Sequence, residues 1–202
     1  MITSAQALAR LKEGNQRFIS GTGGRDLDFE HAKREELVEK QAPFATVLGC
    51  SDSRVPLELV FDQGMGDLFV VRVAGNIAAP SQIGSIEFAA ATFGTPLLVV
   101  LGHSRCGAVA AAVDTILNPE TRLSPNIEVI VDRIRPVVQA RLDKEPGIGR
   151  EMLLDRVVED NVRSTVERLL ADSPLLSERI ENGLLAVVGA EYALHTGTVK
   201  FF

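Results

Sequence analysis

Cysteine is scarce in this chain, with two in 202 residues, and that scarcity excludes a disulfide framework. With no export signal, both are expected to be reduced thiols, as in a cytoplasmic protein. The N-terminal stretch MITSAQALARLKEGNQRF carries Arg and Lys inside its apolar pattern. It is therefore read as neither a signal peptide nor a membrane span. The longest apolar stretch, TPLLVVLG, is too short to cross a bilayer. A Lys/Arg-rich block is also missing, and the net charge of −6 argues against nucleic acid as a partner. A glycine-rich nucleotide loop is not supported either. GTGG precedes a polar helix rather than a strand, and GMGDLF lacks the third glycine. With no repeat, low-complexity tract or linker, residues 1–202 are expected to form a single globular domain.

What remains is an alternation of two kinds of segment. FATVLG (44–49), LFVVRV (68–73), PLLVVLG (96–102) and LLAVVGA (184–190) are short continuous apolar runs, the pattern of parallel strands buried on both faces. Between and around them lie segments with helical character at 30–41, 56–62, 81–93, 106–117, 125–142, 150–171 and 174–182. An N-terminal helix carries Ala5, Leu8, Leu11 and Phe18 on one face, with Ser4 as its expected N-cap. The fold expected is α/β: a central, mainly parallel sheet flanked by helices, with an N-terminal helical arm (1–42) and a helical C-terminal half.

Two strands end alike. TVLGC closes on Cys50 and VVLGH on His103, with Cys106 following in HSRC. Strand ends are where open α/β sheets build their sites, and adjacent parallel strands would bring these two together. The glycine before each is expected to ease a tight turn. Sulfur, nitrogen and sulfur make a zinc site that keeps a fourth place for water or substrate, whereas a structural zinc claims four protein ligands. His31 and His195 lie in unrelated contexts and are expected at the surface. The nearby candidate for a fourth ligand is Asp52, which Arg54 can clamp through paired hydrogen bonds. The alternative is a pair of thiols packed as small hydrophobes; it leaves the charged neighbours of Cys50 unexplained.

CSDSRV, GDLFVVRVAGN, GSIEFA and VVLGHSRCGAV together resemble the β-class carbonic anhydrases, closely over residues 35 to 115 and more loosely to the C-terminus. The resemblance implies one Zn2+ per chain on Cys50, His103 and Cys106, and reversible hydration of carbon dioxide to bicarbonate and a proton by zinc-bound hydroxide. It implies that Asp52 and Arg54 orient or gate the nucleophile, Asp52 also serving as fourth ligand in a closed state. By matching motif, Gln41 contacts the substrate oxygen, and Phe69 and Phe88 line a carbon dioxide cleft contributed by a partner subunit. Gly107 backs the metal cleft. A homodimer or homotetramer follows, with the 4–19 helix wrapping a neighbour; no nucleic acid or membrane partner is implied. Some members carry an inhibitory bicarbonate site built from Trp, Arg and Tyr. Here Arg72 and Tyr192 match, but Val47 stands at the tryptophan position and the chain has no Trp. Two competing readings remain at this point: hydrolysis of a linear sulfur analogue of carbon dioxide on the same residues, and a zinc-binding protein without catalysis.

Overall fold

The computed structural model describes residues 2–24 and 34–202. Five strands form one sheet in the order β2-β1-β3-β4-β5: β1 (Ala45–Gly49), β2 (Leu68–Arg72), β3 (Leu97–His103), β4 (Ala186–Tyr192) and β5 (Val199–Phe201). The first four run parallel and β5 is antiparallel to β4. Every residue of β1 and β3 is buried, which is why their sequences are apolar without alternation. Strand β5 was not expected from the sequence. Three residues at the chain end give too short a pattern to read. Strand β4 starts later than expected, because Leu184 sits half exposed in the turn before it.

The helices are α1 (Ser4–Ser20), α2 (Leu57–Val60), α3 (Pro80–Phe93), α4 (Gly107–Leu117), α5 (Pro125–Lys144), α6 (Arg150–Asp172) and α7 (Pro174–Glu181). Of the polar segment expected at 30–41, residues 34–37 form a helical turn and residues 30–33, His31 among them, lie outside the described residues. Helices α1 and α2 cover one face of the sheet, and α3, α6 and α7 the other. A third apolar cluster gathers Cys50 and Cys106 with the inward faces of α4, α5 and α6.

One expectation for α1 is corrected. Its N-cap is Thr3, not Ser4. Thr3 Oγ1 accepts the Gln6 N–H while Gln6 Oε1 accepts the Thr3 N–H, a reciprocal capping box. The apolar face of α1 is covered only in part within the chain, since Phe18 remains 36% exposed. Ala7 and Leu11 are fully buried in this chain's own core, with Leu8 packed beside them. The buried Asn15 adds three bonds to its own chain. It donates to the Val60 and Gly197 carbonyls at 3.0 and 2.9 Å and accepts the Val199 N–H at 2.9 Å.

The connection from β1 leads outward to the edge strand β2, and the chain then returns past β1 to β3 on its other side. The crevice between the C-terminal ends of β1 and β3 is therefore the point where the strand order reverses, the place where open α/β sheets hold ligands.

Candidate metal centre

Cys50 follows β1 directly and His103 ends β3. The two strands pair in parallel, Gly49 opposite Leu101, so adjacency carries both residues to the same rim. Cys106 is the N-cap of α4, which starts immediately after the β3 turn. Both sulfurs and a histidine nitrogen lie within 4.8 Å of one another, and all three residues are buried. The glycines before the strand-end residues have a different purpose from the one expected. Neither adopts a positive φ. A Cβ on Gly49 would stand 2.9 Å from Leu57 Cδ1, and one on Gly102 would stand 2.6 Å from Val162 Cγ2. Close packing of α2 and α6 on the strands, not turning, demands them.

The histidine is oriented. Its Nδ1 lies 2.9 Å from the Ser104 carbonyl, which fixes Nδ1 as the protonated nitrogen. Nε2 then presents a lone pair, and this buried atom has no hydrogen-bond partner among the described residues. Orphaned polar atoms in a protein core are rare and call for an explanation. The thiols give the same signal. The hydrogen bond from Cys106 pulls Cys50 down, against the effect of burial, with help from His103 and the Gly75 N–H. The Cys50 thiolate and burial in turn drive Cys106 up, opposed by the N–H groups of Val109 and Ala108 at the start of α4. Burial lowers His103, but the neighbouring Cys50 thiolate outweighs it and the net shift is upward. Two thiols this close do not both ionise without a cation between them, and a dication would satisfy both sulfurs and the idle Nε2.

Asp52 and Arg54 stand beside this cluster. Arg54 Nε donates to Asp52 Oδ1 at 2.9 Å and Arg54 Nη2 to Oδ2 at 2.8 Å, while the Arg54 backbone N–H adds a third bond to Oδ1. The fork holds the Asp52 carboxyl well below the usual carboxylate range. Oδ2 remains 3.9 Å from His103 Nε2, at the edge of the cluster. Arg72, read from the sequence only as part of an anion site, has another task. Its Nε donates to the Cys50 carbonyl at 2.9 Å and its Nη2 to the Asp52 carbonyl at 2.7 Å, pinning the loop that carries both residues. Val47 is fully buried in β1 and Tyr192 nearly so in β4.

The remaining expected site residues divide. Gly107 opens α4 beside Cys106, and a Cβ there would meet nothing within 4 Å among the described residues. Phe69, Phe88 and Phe93 form an aromatic trio with ring centroids 5.7 to 6.3 Å apart. Phe93 also lines a surface groove with Gln41. This second constellation sits at the edge strand β2, where Phe69 pairs with Thr46 well upstream of the rim of β1. Phe88 is 54% exposed and so lies outside this chain's core. His195 is exposed, as expected. Gly75, whose N–H donates to Cys50 Sγ at 3.3 Å, and Asn161, which bonds the Gly75 carbonyl, were not anticipated from the sequence. The available signal was an asparagine set among Val157, Val158 and Val162 in a helical segment.

A family model described as carbonic anhydrase matches residues 45–199. Carbonic anhydrase 2 of Mycobacterium tuberculosis is 43% identical over 188 residues, covering 93% of this chain and 87% of the relative. The carbonic anhydrase of Mycolicibacterium smegmatis is 38% identical over 190 residues, 94% and 89% of the two chains. Among solved structures, the Coccomyxa β-carbonic anhydrase in complex with acetazolamide superposes with a TM-score of 0.76 at 27% identity, covering 96% of this chain and 85% of that one. A tetrameric β-carbonic anhydrase of Sordaria macrospora does so with a TM-score of 0.76 at 26% identity, over 84% and 85%. Matched along most of its length in sequence and fold, with Cys50, His103 and Cys106 gathered at the strand ends, this chain belongs to the β-class carbonic anhydrases, enzymes that hydrate carbon dioxide reversibly to bicarbonate and a proton.

Proposed function

We propose that Cys50, His103 and Cys106 hold one zinc ion per chain, and that Asp52 aims the nucleophile at carbon dioxide while Arg54 keeps that carboxylate off the metal. The observation that carries this reading is the meeting of two thiols and an unpartnered imidazole nitrogen beside a carboxylate already held by an arginine. Two thiolates and one imidazole suit zinc and leave a fourth place for the chemistry. Zinc bound there acidifies water and supplies a strong nucleophile near neutral pH. The two thiolates reduce the metal's net charge, so activity should rise toward alkaline pH.

The chain's own residues do the rest. The Ser104 carbonyl keeps His103 in the tautomer that offers Nε2. Asp52, ionised by its arginine, keeps a second lone pair on the singly bonded Oδ2, which can accept a hydrogen bond from the nucleophile and so turn it toward the substrate. Arg72 fixes the backbone under Asp52, which leaves side-chain rotation as the route by which the carboxylate could reach the fourth metal position and close the site. Gln41, Phe69 and Phe88, gathered apart from the metal, are proposed to complete the carbon dioxide cleft of a neighbouring subunit. A homodimer or homotetramer is therefore the active unit. The Sordaria macrospora relative is described as tetrameric, in keeping with this. The test combines elemental analysis, carbon dioxide hydration with and without chelator, and sedimentation. One zinc per chain, chelator-sensitive hydration and a dimer or larger are expected. Full zinc in a Cys50→Ser, Cys106→Ser double variant, or full activity in a strict monomer, would contradict the assignment.

A further inference from the structure

Helix α6 supplies no donor to the metal centre, yet its buried face is shaped around it. Val158 and Val162 close on Gly102, the residue before His103. Between those valines in sequence stands Asn161, only 2% exposed. Its Nδ2 donates to the Gly75 carbonyl at 2.9 Å, and Gly75 donates its own N–H to Cys50 Sγ at 3.3 Å. Gly75 has φ 72, a left-handed conformation suited to glycine, and a Cβ there would meet Ile134 Cδ1 at 2.8 Å and Ala108 Cβ at 3.0 Å. The turn is thus held from three sides: by packing, by a buried amide from the C-terminal half, and by the ligand sulfur. A buried amide costs stability unless it is paired, and an apolar side chain would pack α6 on the sheet as its valine neighbours do. Packing alone gives no reason for asparagine at this position; the turn it holds does.

We infer that Asn161 is a positioning residue of the metal centre, which holds Gly75 so that its N–H stays on Cys50 Sγ and moderates the donation of that sulfur to the metal. The inference rests on the metal site proposed above. A hydrogen bond to a thiolate draws electron density from sulfur, and partners of this kind, one shell out from the metal, typically contribute about 10- to 100-fold to metal affinity or activity.

The test loads the purified enzyme, Asn161→Leu and Asn161→Ala with cobalt(II). The leucine variant keeps much of the shape and loses the donor. Both variants are expected to bind cobalt about 10- to 100-fold more weakly, because a Gly75 turn without its anchor no longer holds Cys50 in place for the metal. Their sulfur-to-cobalt charge-transfer band is expected at longer wavelength, because a sulfur without its N–H partner holds its lone pair less tightly. A purely structural role would lower the melting temperature and leave the band in place. In wild-type enzyme loaded with cadmium-113, the Gly75 amide proton is expected to couple to the metal across the N–H···S bond, and that coupling should be lost in both variants. Folded variants with wild-type affinity and band position would overturn the inference. So would a wild-type enzyme without the coupling, or failure of both variants to fold, which would assign Asn161 to core stability alone. A wild-type enzyme that takes up no cobalt would instead refute the metal site itself.

Discussion

Alanine at Gly102 places a methyl group 2.6 Å from Val162 Cγ2 and 3.4 Å from Val158 Cγ1, one residue before His103. Val162 is fully buried and β-branched on a helix, where one rotamer dominates, so it has no side-chain route out of the clash. Strand β3 and helix α6 must then part by about 0.8 Å to restore ordinary contact at 3.4 Å. Overpacking of this kind costs about 1–3 kcal/mol in stability. The more telling consequence is at the metal, since working sites keep ligand distances within about 0.2 Å of ideal. A strand displaced by several times that tolerance carries His103 out of register with the two sulfurs. Gly102→Ala should therefore lose metal affinity out of proportion to its loss of stability. Adding Val162→Ala makes room for the methyl and should restore much of both, a coupling that a double-mutant cycle reads directly. The assays are thermal unfolding and chelator-competition titration of the metal. Wild-type metal affinity in Gly102→Ala, or no rescue by the second substitution, would refute the claim that α6 sets the position of His103.

Arg54→Ala and Asp52→Ala should both keep zinc and both hydrate carbon dioxide about 10²-fold or more slowly, since each disturbs the orienting contact. They should differ in metal geometry, a carboxylate oxygen as fourth ligand in the first and water in the second; wild-type rates in either would reduce the pair to a loop salt bridge. Glu191 titrates with the opposite sign to a salt-bridged acid. Burial, and then the charge of Glu159, raise its pKa in the folded state. The folded protein thus binds the proton that the unfolded chain releases at about pH 4.3, and stability falls as pH rises from there through the raised value. Glu191→Gln should therefore be more resistant to urea than wild type at pH 8 and equal to it at pH 4, and an equal difference at both would contradict this.

The strands and most helices were legible because their burial is two-sided or strictly periodic: LLVVLGH is apolar throughout because both of its faces are covered. The donor set was legible because matched strand ends announce a shared rim. What escaped reading was set by contacts distant in sequence. Asn161 reaches Gly75 across 86 positions, and Asn15 reaches Val199 across 184, and no local pattern records either. The same limit explains the glycines, whose packing partners Leu57 and Val162 lie on other elements. It also explains α1, whose apolar stripe could not reveal from sequence alone whether its own sheet or a neighbour would cover it.

The assignment of Cys50, His103 and Cys106 as the ligands of a catalytic zinc meets its most direct test in zinc K-edge absorption spectroscopy of the purified enzyme. Two sulfurs at about 2.3 Å, one nitrogen at about 2.0–2.1 Å and one light atom completing four-coordination are expected. A zinc shell of nitrogen and oxygen alone, or with one sulfur, would contradict it.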